Sequence, residues 1–267
     1  MTWTLLANDD GVHSPALVPF ARALNARRRV LVAVPDRERS WVGKAITRHD
    51  PITLARVENG GIEMFTTTGY PADTVQIGIH AIADEPPSLL VSGVNLGYNH
   101  GAGFLMSSGT VGAAIEGWVS GVDAIAFSTG ITGDWGTWRA WVDTAEAVPY
   151  WERIAELCAA ITDDIAGSGI LELADVVNVN VPFEATAATE RRLTTIARTG
   201  YNQLFHPDGD PDTFVHVYGG MVAFDAMEGT DVDAAHDEVI SITPIRLPEA
   251  AAVPDAVRHA LLGPPQG

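Results

Sequence analysis

The chain opens with a short apolar run, Thr4-Leu5-Leu6-Ala7, that stops abruptly on Asn8-Asp9-Asp10-Gly11 and gives way within a few residues to a helical pattern. A buried strand that feeds a helix through a tight polar turn is the first unit of an open α/β sheet. Such sheets hold their ligands outside the carboxyl ends of the strands. The paired carboxylates fall at that edge, and hard divalent cations such as magnesium or manganese take carboxylate, carbonyl and water oxygens. The alternative is a solvated turn that happens to carry two acids. A second pair, Asp163-Asp164, is an internal contrast, since it lies near the end of a helical pattern with nothing beside it that suggests a ligand.

The opening unit repeats through the first half. Pro15 to Ala26 has helical spacing at Leu17, Phe20 and Leu24, and Val30 to Val34 is a second strand. Ile52 to Val57 and Ile62 to Thr67 form a predicted hairpin around Glu58-Asn59-Gly60-Gly61. Pro71 to Ala83 is predicted helical, Leu89 to Ser92 a buried strand, Thr110 to Ser120 a helix and Ala124 to Ser128 a strand. Strands alternating with amphipathic helices predict a doubly wound, mostly parallel sheet covered on both faces, with right-handed crossovers.

After Gly130 the texture changes. Trp135, Trp138, Trp141 and Trp151 fall in or beside one long helical segment reaching about Ile165, where indoles at spacing three read as a packed face or as a ligand cage. Val176 to Val181 is a further strand, ended by Pro182. From Glu184 to Asp212 the chain is polar and turn-rich. Phe214 to Phe224 and Glu238 to Ile245 then alternate as strands separated by Glu228-Gly229-Thr230-Asp231. The predicted organisation is an α/β catalytic core over 1–183, a projecting β-hairpin arm over 184–247 that returns to the core, and a short helix and Gly-Pro-Pro tail over 248–267.

With 34 acidic against 16 basic side chains, the formal net charge is -18. A polyanion is repelled by such a surface, which argues against nucleic acid polymers as partners. Lys44 is the only lysine, arginine supplying the rest of the positive charge. An acidic protein that binds a small phosphate must gather positive charge locally, most simply with a bound cation. No stretch approaches the ~18 to 20 apolar residues of a membrane span, and the start lacks a basic, then apolar leader. The expectation is a cytoplasmic protein with no membrane partner. Cys158, the only cysteine, excludes a disulfide framework and a cysteine zinc cluster, and its surroundings mark it as a small core residue on a helix face.

Several loops converge on the edge that carries Asp9 and Asp10. Val91-Ser92-Gly93-Val94-Asn95-Leu96-Gly97-Tyr98-Asn99 follows a buried strand, and Asn95 offers a neutral amide oxygen to a metal. Ser107-Ser108-Gly109-Thr110-Val111 enters a helix whose first amides and dipole favour an anion, although Ser108 and Thr110 also suit ordinary capping. A cation held by Asp9, Asp10, Ser40 and Asn95, with donors from Asn8, Ser108, Gly109 and Thr110 and with Asn95 beside the phosphoryl group, has the chemistry of phosphate ester hydrolysis. Attack by water or by one of the aspartates both fit. His13 and His100 are candidate proton donors or plain loop histidines. Arg37, Arg39 and Lys44 either attract phosphate or pair with Asp36 and Glu38, and Asp231 reads as fixing the arm.

The strings Asn8-Asp9-Asp10-Gly11, Pro35-Asp36-Arg37-Glu38-Arg39-Ser40, Ser92-Gly93-Val94-Asn95-Leu96-Gly97-Tyr98-Asn99, Ser108-Gly109-Thr110-Val111 and Gly229-Thr230-Asp231, in that order, resemble the SurE (survival protein E) family of metal-dependent nucleotidases. The resemblance runs over nearly the whole chain to Ile245. It implies a doubly wound, Rossmann-like three-layer α/β core with an exchanged C-terminal hairpin that builds homodimers or homotetramers. The implied activity is removal of phosphate from nucleoside 5′- and 3′-monophosphates, with short polyphosphate or another phosphoester as the alternative substrate. A non-catalytic nucleotide sensor is the alternative from a different class. The family's metal ligands fall on Asp9, Asp10, Ser40 and Asn95, around one divalent cation per subunit, Mg2+ or Mn2+. Four positions depart from the family pattern: Ala16 stands for a glycine, Trp41 for a residue commonly small, Tyr70 for a threonine and Ser107 for a tyrosine. Trp41 and Tyr70 can each stack on a base or pack inward.

Overall fold

The computed structural model describes residues 2–247 and 250–262. In chain order it runs β1 (Thr4–Ala7), α1 (Leu17–Asn25), β2 (Val30–Pro35), β3 (Leu54–Asn59), β4 (Ile62–Thr67), α2 (Pro71–Ala81), β5 (Leu89–Leu96), α3 (Gly101–Ser107), α4 (Gly109–Val119) and β6 (Ala124–Gly130). It continues with α5 (Trp135–Trp141), α6 (Val148–Ser168), β7 (Val176–Pro182), β8 (Arg191–Leu193), β9 (Thr199–Tyr201), β10 (Phe205–Asp208), β11 (Asp210–His216), β12 (Met221–Ala223), α7 (Asp231–His236), β13 (Ile240–Ile245) and α8 (Asp255–Leu262). The tail expected over 263–267 lies outside the described residues.

Nine strands form one sheet in the order β3-β4-β2-β1-β5-β6-β7-β13-β8. From β4 to β7 every neighbour is parallel, while β3 and β13 pair antiparallel with β4 and β7. The apolar alternation of β1 explains how two helical layers are served at once. Leu6 joins Leu17, Phe20 and Leu24 of α1 and Trp151, Ile154 and Ile161 of α6 on one face. Leu5 and Ala7 join Val75 and Ile79 of α2 and Val111 of α4 on the other. Fully burying a side chain such as Leu5 or Phe20 stabilises by about 2 kcal/mol, so β1 is clamped from both sides. The expected three-layer, doubly wound α/β sheet is the one observed.

The order of the strands also fixes where a ligand can sit. From β1 the chain moves outward to β2 and β4, then returns to place β5 on the opposite side of β1. The strand order reverses between β1 and β5, and open sheets leave a crevice at the carboxyl ends of such a pair. Asp9 and Asp10 follow β1, and Asn95 lies near the end of β5.

Several expectations are corrected. The hairpin turn is made by Gly60 and Gly61, both at positive φ, with Asn59 still paired to Ile62 in the ladder. β5 does not stop at Ser92 but runs on to Leu96 past an irregularity between Ser92 and Asn95. The tryptophan-rich helix is broken: α5 ends at Trp141, a 3-10 turn covers Ala145–Ala147, and Pro149 opens α6 in its first turn, where a missing N–H costs nothing. Phe214 to Phe224 divides into the end of β11, an interval ending in Gly219-Gly220, and β12. Residues 231–236 are helical, and β13 lies inside the main sheet, where Ile240 and Ile245 are buried. Cys158 is fully buried, as expected, and burial pushes its thiol pKa up. Among the described residues no helix is long and apolar enough to cross a membrane.

Candidate active site

The turn after β1 is built by Asn8 and Gly11. The Asn8 side chain accepts from Gly11 N at 3.1 Å and donates to Gly11 O at 3.1 Å, so the amide closes the turn in place of a backbone partner. The Asn8 amide thus holds the turn with one Nδ2 proton and keeps a second beyond the one given to Gly11 O. Gly11 has φ +80°, and a Cβ there would lie 2.6 Å from the Arg37 carbonyl carbon, so the loop that carries Ser40 is drawn against this turn. Arg39 N donates to Asp9 O at 2.7 Å and ties the two loops together.

Asp9 is 3% exposed. Its Oδ1 accepts from the Thr110 hydroxyl, and Asp10 Oδ2 accepts from Leu96 N at 3.3 Å. Burial is the main reason that Asp9 titrates at about 6; the hydrogen bonds from Thr110 oppose the rise and Glu38 adds to it. Burial, followed by repulsion from Asp9, pushes Asp10 well above the usual carboxylate range. Arg139 opposes the rise at Asp10 as the least of these influences, so the two adjacent carboxylates have little positive charge to balance them. Among the described residues no group of three or more His, Cys, Asp or Glu stands ready to hold a metal, so any cation here takes its other ligands from neutral oxygens.

Those oxygens are nearby. Asp9, Ser40, Asn95 and Ser108 line one cavity of about 570 Å3. Asn95 Nδ2 donates to Gly97 O at 2.7 Å, which leaves Oδ1 as the atom the side chain can offer a cation. Ser40 Oγ donates to Glu38 Oε1 at 2.6 Å and retains its lone pairs. The donor set, two carboxylates, a hydroxyl and an amide oxygen, has the hard character that magnesium and manganese select.

The phosphate candidates lie at the start of α4. Ser108 caps the helix, accepting from Val111 N at 3.0 Å, and its hydroxyl proton remains free to donate. The capping and ligand readings are thus compatible. Thr110 departs from expectation, because its hydroxyl is committed to Asp9. A Cβ on Gly109 would sit 2.7 Å from Asp9 Cβ and 3.1 Å from Arg39 O, so only glycine lets the helix start touch the acid turn.

Other candidates separate clearly. His13 is exposed and lies outside the cavity wall, whereas His100 lines it, stacked on Tyr98 with centroids 5.1 Å apart. Burial lowers the His100 pKa, with Asp231 among the influences that oppose the fall. Lys44 pairs with the buried Glu116. Arg39 donates to Thr68 O at 2.6 Å and lines, with Arg37 and Tyr70, a separate groove that does not include Asp9. Asp231 is fully buried and accepts from Gly101 N and Ala197 N at 2.9 Å each, holding the start of α3 to the segment before β9.

The sequence reading missed much of the cavity wall. Trp135, read with the packed indoles, is 45% exposed and lies over Gly97, where a Cβ would meet its ring at 2.9 Å. Trp138 and Trp151 are the core residues of that set. Phe104, His216 and Tyr218 also line the cavity, the last two brought from β11 and the residues just beyond it by tertiary folding. Only the position of Trp135, five residues past the end of β6, carried a usable signal.

The model of the Survival protein SurE family matches residues 4–203. The chain is 33% identical over 247 residues to a protein of Methanocella arvoryzae named 5'-nucleotidase SurE, covering 91% of each. It is 35% identical over 267 residues to the protein of that name from Methanopyrus kandleri, covering 97% of this chain and 99% of the relative. The crystal structure of SurE protein from Aquifex aeolicus superposes with a TM-score of 0.71 at 31% identity, covering 93% of this chain and 94% of that one.

Proposed function

The chain belongs to the SurE family, and from that premise we propose that it is a metal-dependent phosphomonoesterase that releases phosphate from nucleoside 5′- and 3′-monophosphates. The observation that carries this reading is the carboxylate pair Asp9-Asp10 at the sheet's switch point, where Asp9 shares a cavity wall with Ser40, Asn95 and Ser108 and burial disfavours the charged form of both acids. One divalent cation per chain, Mg2+ or Mn2+, relieves that cost. Its proposed ligands are Asp9, Ser40 and Asn95, which line the cavity, and Asp10, which follows Asp9 in the turn but is not itself part of the cavity wall. Such an ion supplies Lewis-acid charge to the phosphoryl oxygens and to the attacking water.

The remaining steps belong to the chain. Ser108 Oγ and the amide of Gly109 donate to the phosphoryl group at the positive end of α4, with Asn95 alongside. Thr110 orients Asp9 through its hydroxyl. Asn8 acts by holding the turn that presents both carboxylates. Because Thr110 pins Asp9 and Leu96 holds Asp10, water is the proposed nucleophile instead of either carboxylate.

Residues 1–183 form most of the proposed catalytic core, completed in its sheet by β8 and β13, and the rest of 184–247 forms the arm. Phe205, Phe214, Val215, Val217, Tyr218 and Phe224 of the arm are exposed apolar side chains, which supports its exchange between copies in a homodimer or homotetramer. Phosphate release from AMP, 3′-AMP and short polyphosphate, measured with EDTA, Mg2+ or Mn2+, tests the activity. Release from both monophosphates only when the cation is present is expected. No release with any divalent ion would overturn the reading.

A further inference from the structure

Trp41 follows Ser40 directly and reaches the same cavity as Asp9. Its environment is unusual in three ways. The residue has φ +61°, a left-handed conformation that L side chains avoid and that folded proteins keep mainly where function requires it. The indole is 40% exposed although four rings surround it. Those rings, Phe104 at 5.7 Å, Tyr201 at 5.5 Å, His216 at 4.9 Å and Tyr218 at 6.2 Å, meet it at 52° to 65°, so none of them occupies a stacked position on its face. An indole fixed by edge contacts, held in a strained backbone and left partly open to a cavity, is a platform for a flat ligand.

The rest of the wall fits the same occupant. From Trp41 the aromatic surface continues through Phe104 to His100, 6.2 Å further, and on to Tyr98. His100 Nδ1 is buried and finds no hydrogen-bonding partner on another described residue, the mark of a polar group awaiting a ligand. We propose that Trp41 is the base-stacking residue of this cavity and sets a preference for purine over pyrimidine mononucleotides. The larger purine covers more of the indole, and stacking strength follows that overlap. This rests on the phosphomonoesterase reading, because the phosphate must lie at Asp9 and Ser108 for the base to reach the indole.

Ribose 5-phosphate, which has the phosphate and sugar but no base, separates the two claims. In wild-type protein, KM should be lower for AMP and GMP than for CMP and UMP. Trp41→Gly should raise the ratio of AMP to ribose 5-phosphate KM about tenfold, with kcat for AMP moving far less, and should flatten the purine preference. Trp41→Phe, which keeps a ring, should recover most of the ratio. Equilibrium dialysis of AMP against ribose 5-phosphate reads the same contrast if turnover is absent, so loss of the phosphatase reading leaves this test standing. An unchanged ratio in Trp41→Gly, or equal weakening for both ligands, would overturn the proposal.

Discussion

Asp9-Asp10 and Asp163-Asp164 are the same dipeptide in two surroundings. The first pair ends β1, where Asp9 is 3% exposed, and its pKa values are raised chiefly by burial. The second lies on α6 with side chains 39% and 64% exposed. Burial costs Asp163 something, but hydrogen bonds from Arg28 and Arg27 outweigh it and hold its pKa below the usual range. Asp164 pairs with Arg191 at 2.6 Å. Cationic partners in direct contact satisfy the α6 pair, whereas the β1 pair has a hydroxyl, a backbone amide and only a minor counter-charge from Arg139. Unneutralised charge is what distinguishes a cation site from a surface ion pair.

The largest effect should come from removing that charge. Asp9→Asn or Asp10→Asn is expected to lower phosphate release at least about a thousandfold, since several kcal/mol of charge stabilisation goes with the cation. Asp163→Asn and Asp164→Asn should change it by less than about twofold, consistent with the small value of exposed pairs. Comparable losses from both pairs would erase the distinction.

Stability against pH separates the pairs next. A carboxyl whose folded pKa lies above its unfolded value stabilises below the unfolded pKa and loses that contribution as pH rises through the folded one. With EDTA present, Asp9 should cost about 2 kcal/mol of unfolding free energy between pH 4 and pH 6, and added Mn2+ should restore it. Asp163 has the opposite sign, its contribution fading as acid protonates it. Denaturant melts carried from neutral pH to below the ordinary carboxylate range, with and without metal, read both trends, that of Asp163 at the acid end. Thr110→Val, which removes the hydroxyl from Asp9, should lower kcat about tenfold, the scale of a hydrogen bond to a charged group. Arg28→Ala should cost no more than about 1 kcal/mol in a thermal melt and leave turnover unaltered.

The sheet was legible because its strands are continuous apolar runs and its helices have a clear 3.6-residue stripe, as at Leu17, Phe20 and Leu24. Asp9, Ser40, Asn95 and Ser108 were legible as one neighbourhood because each follows a strand or opens a helix at the same edge. The partners of those groups were hidden. Nothing local shows that the Thr110 hydroxyl turns to Asp9, 101 residues away, or that the Asn8 amide folds back on Gly11. Likewise β13 resembled an arm strand by alternation alone, while its neighbour β7 was fixed by tertiary pairing. The seven residues of α3, rich in glycine, carried no helical signature until Asp231 and β9 were packed against them.

Titration of the protein with Mn2+ at pH 7.5, followed by electron paramagnetic resonance, addresses the contrast between the acid pairs most directly. One tightly held ion per chain is expected for the wild type and for Asp163→Asn, with affinity at least about a hundredfold weaker in Asp10→Asn. Equal Mn2+ binding by wild type and Asp10→Asn would contradict the assignment of the β1 carboxylates as the cation site.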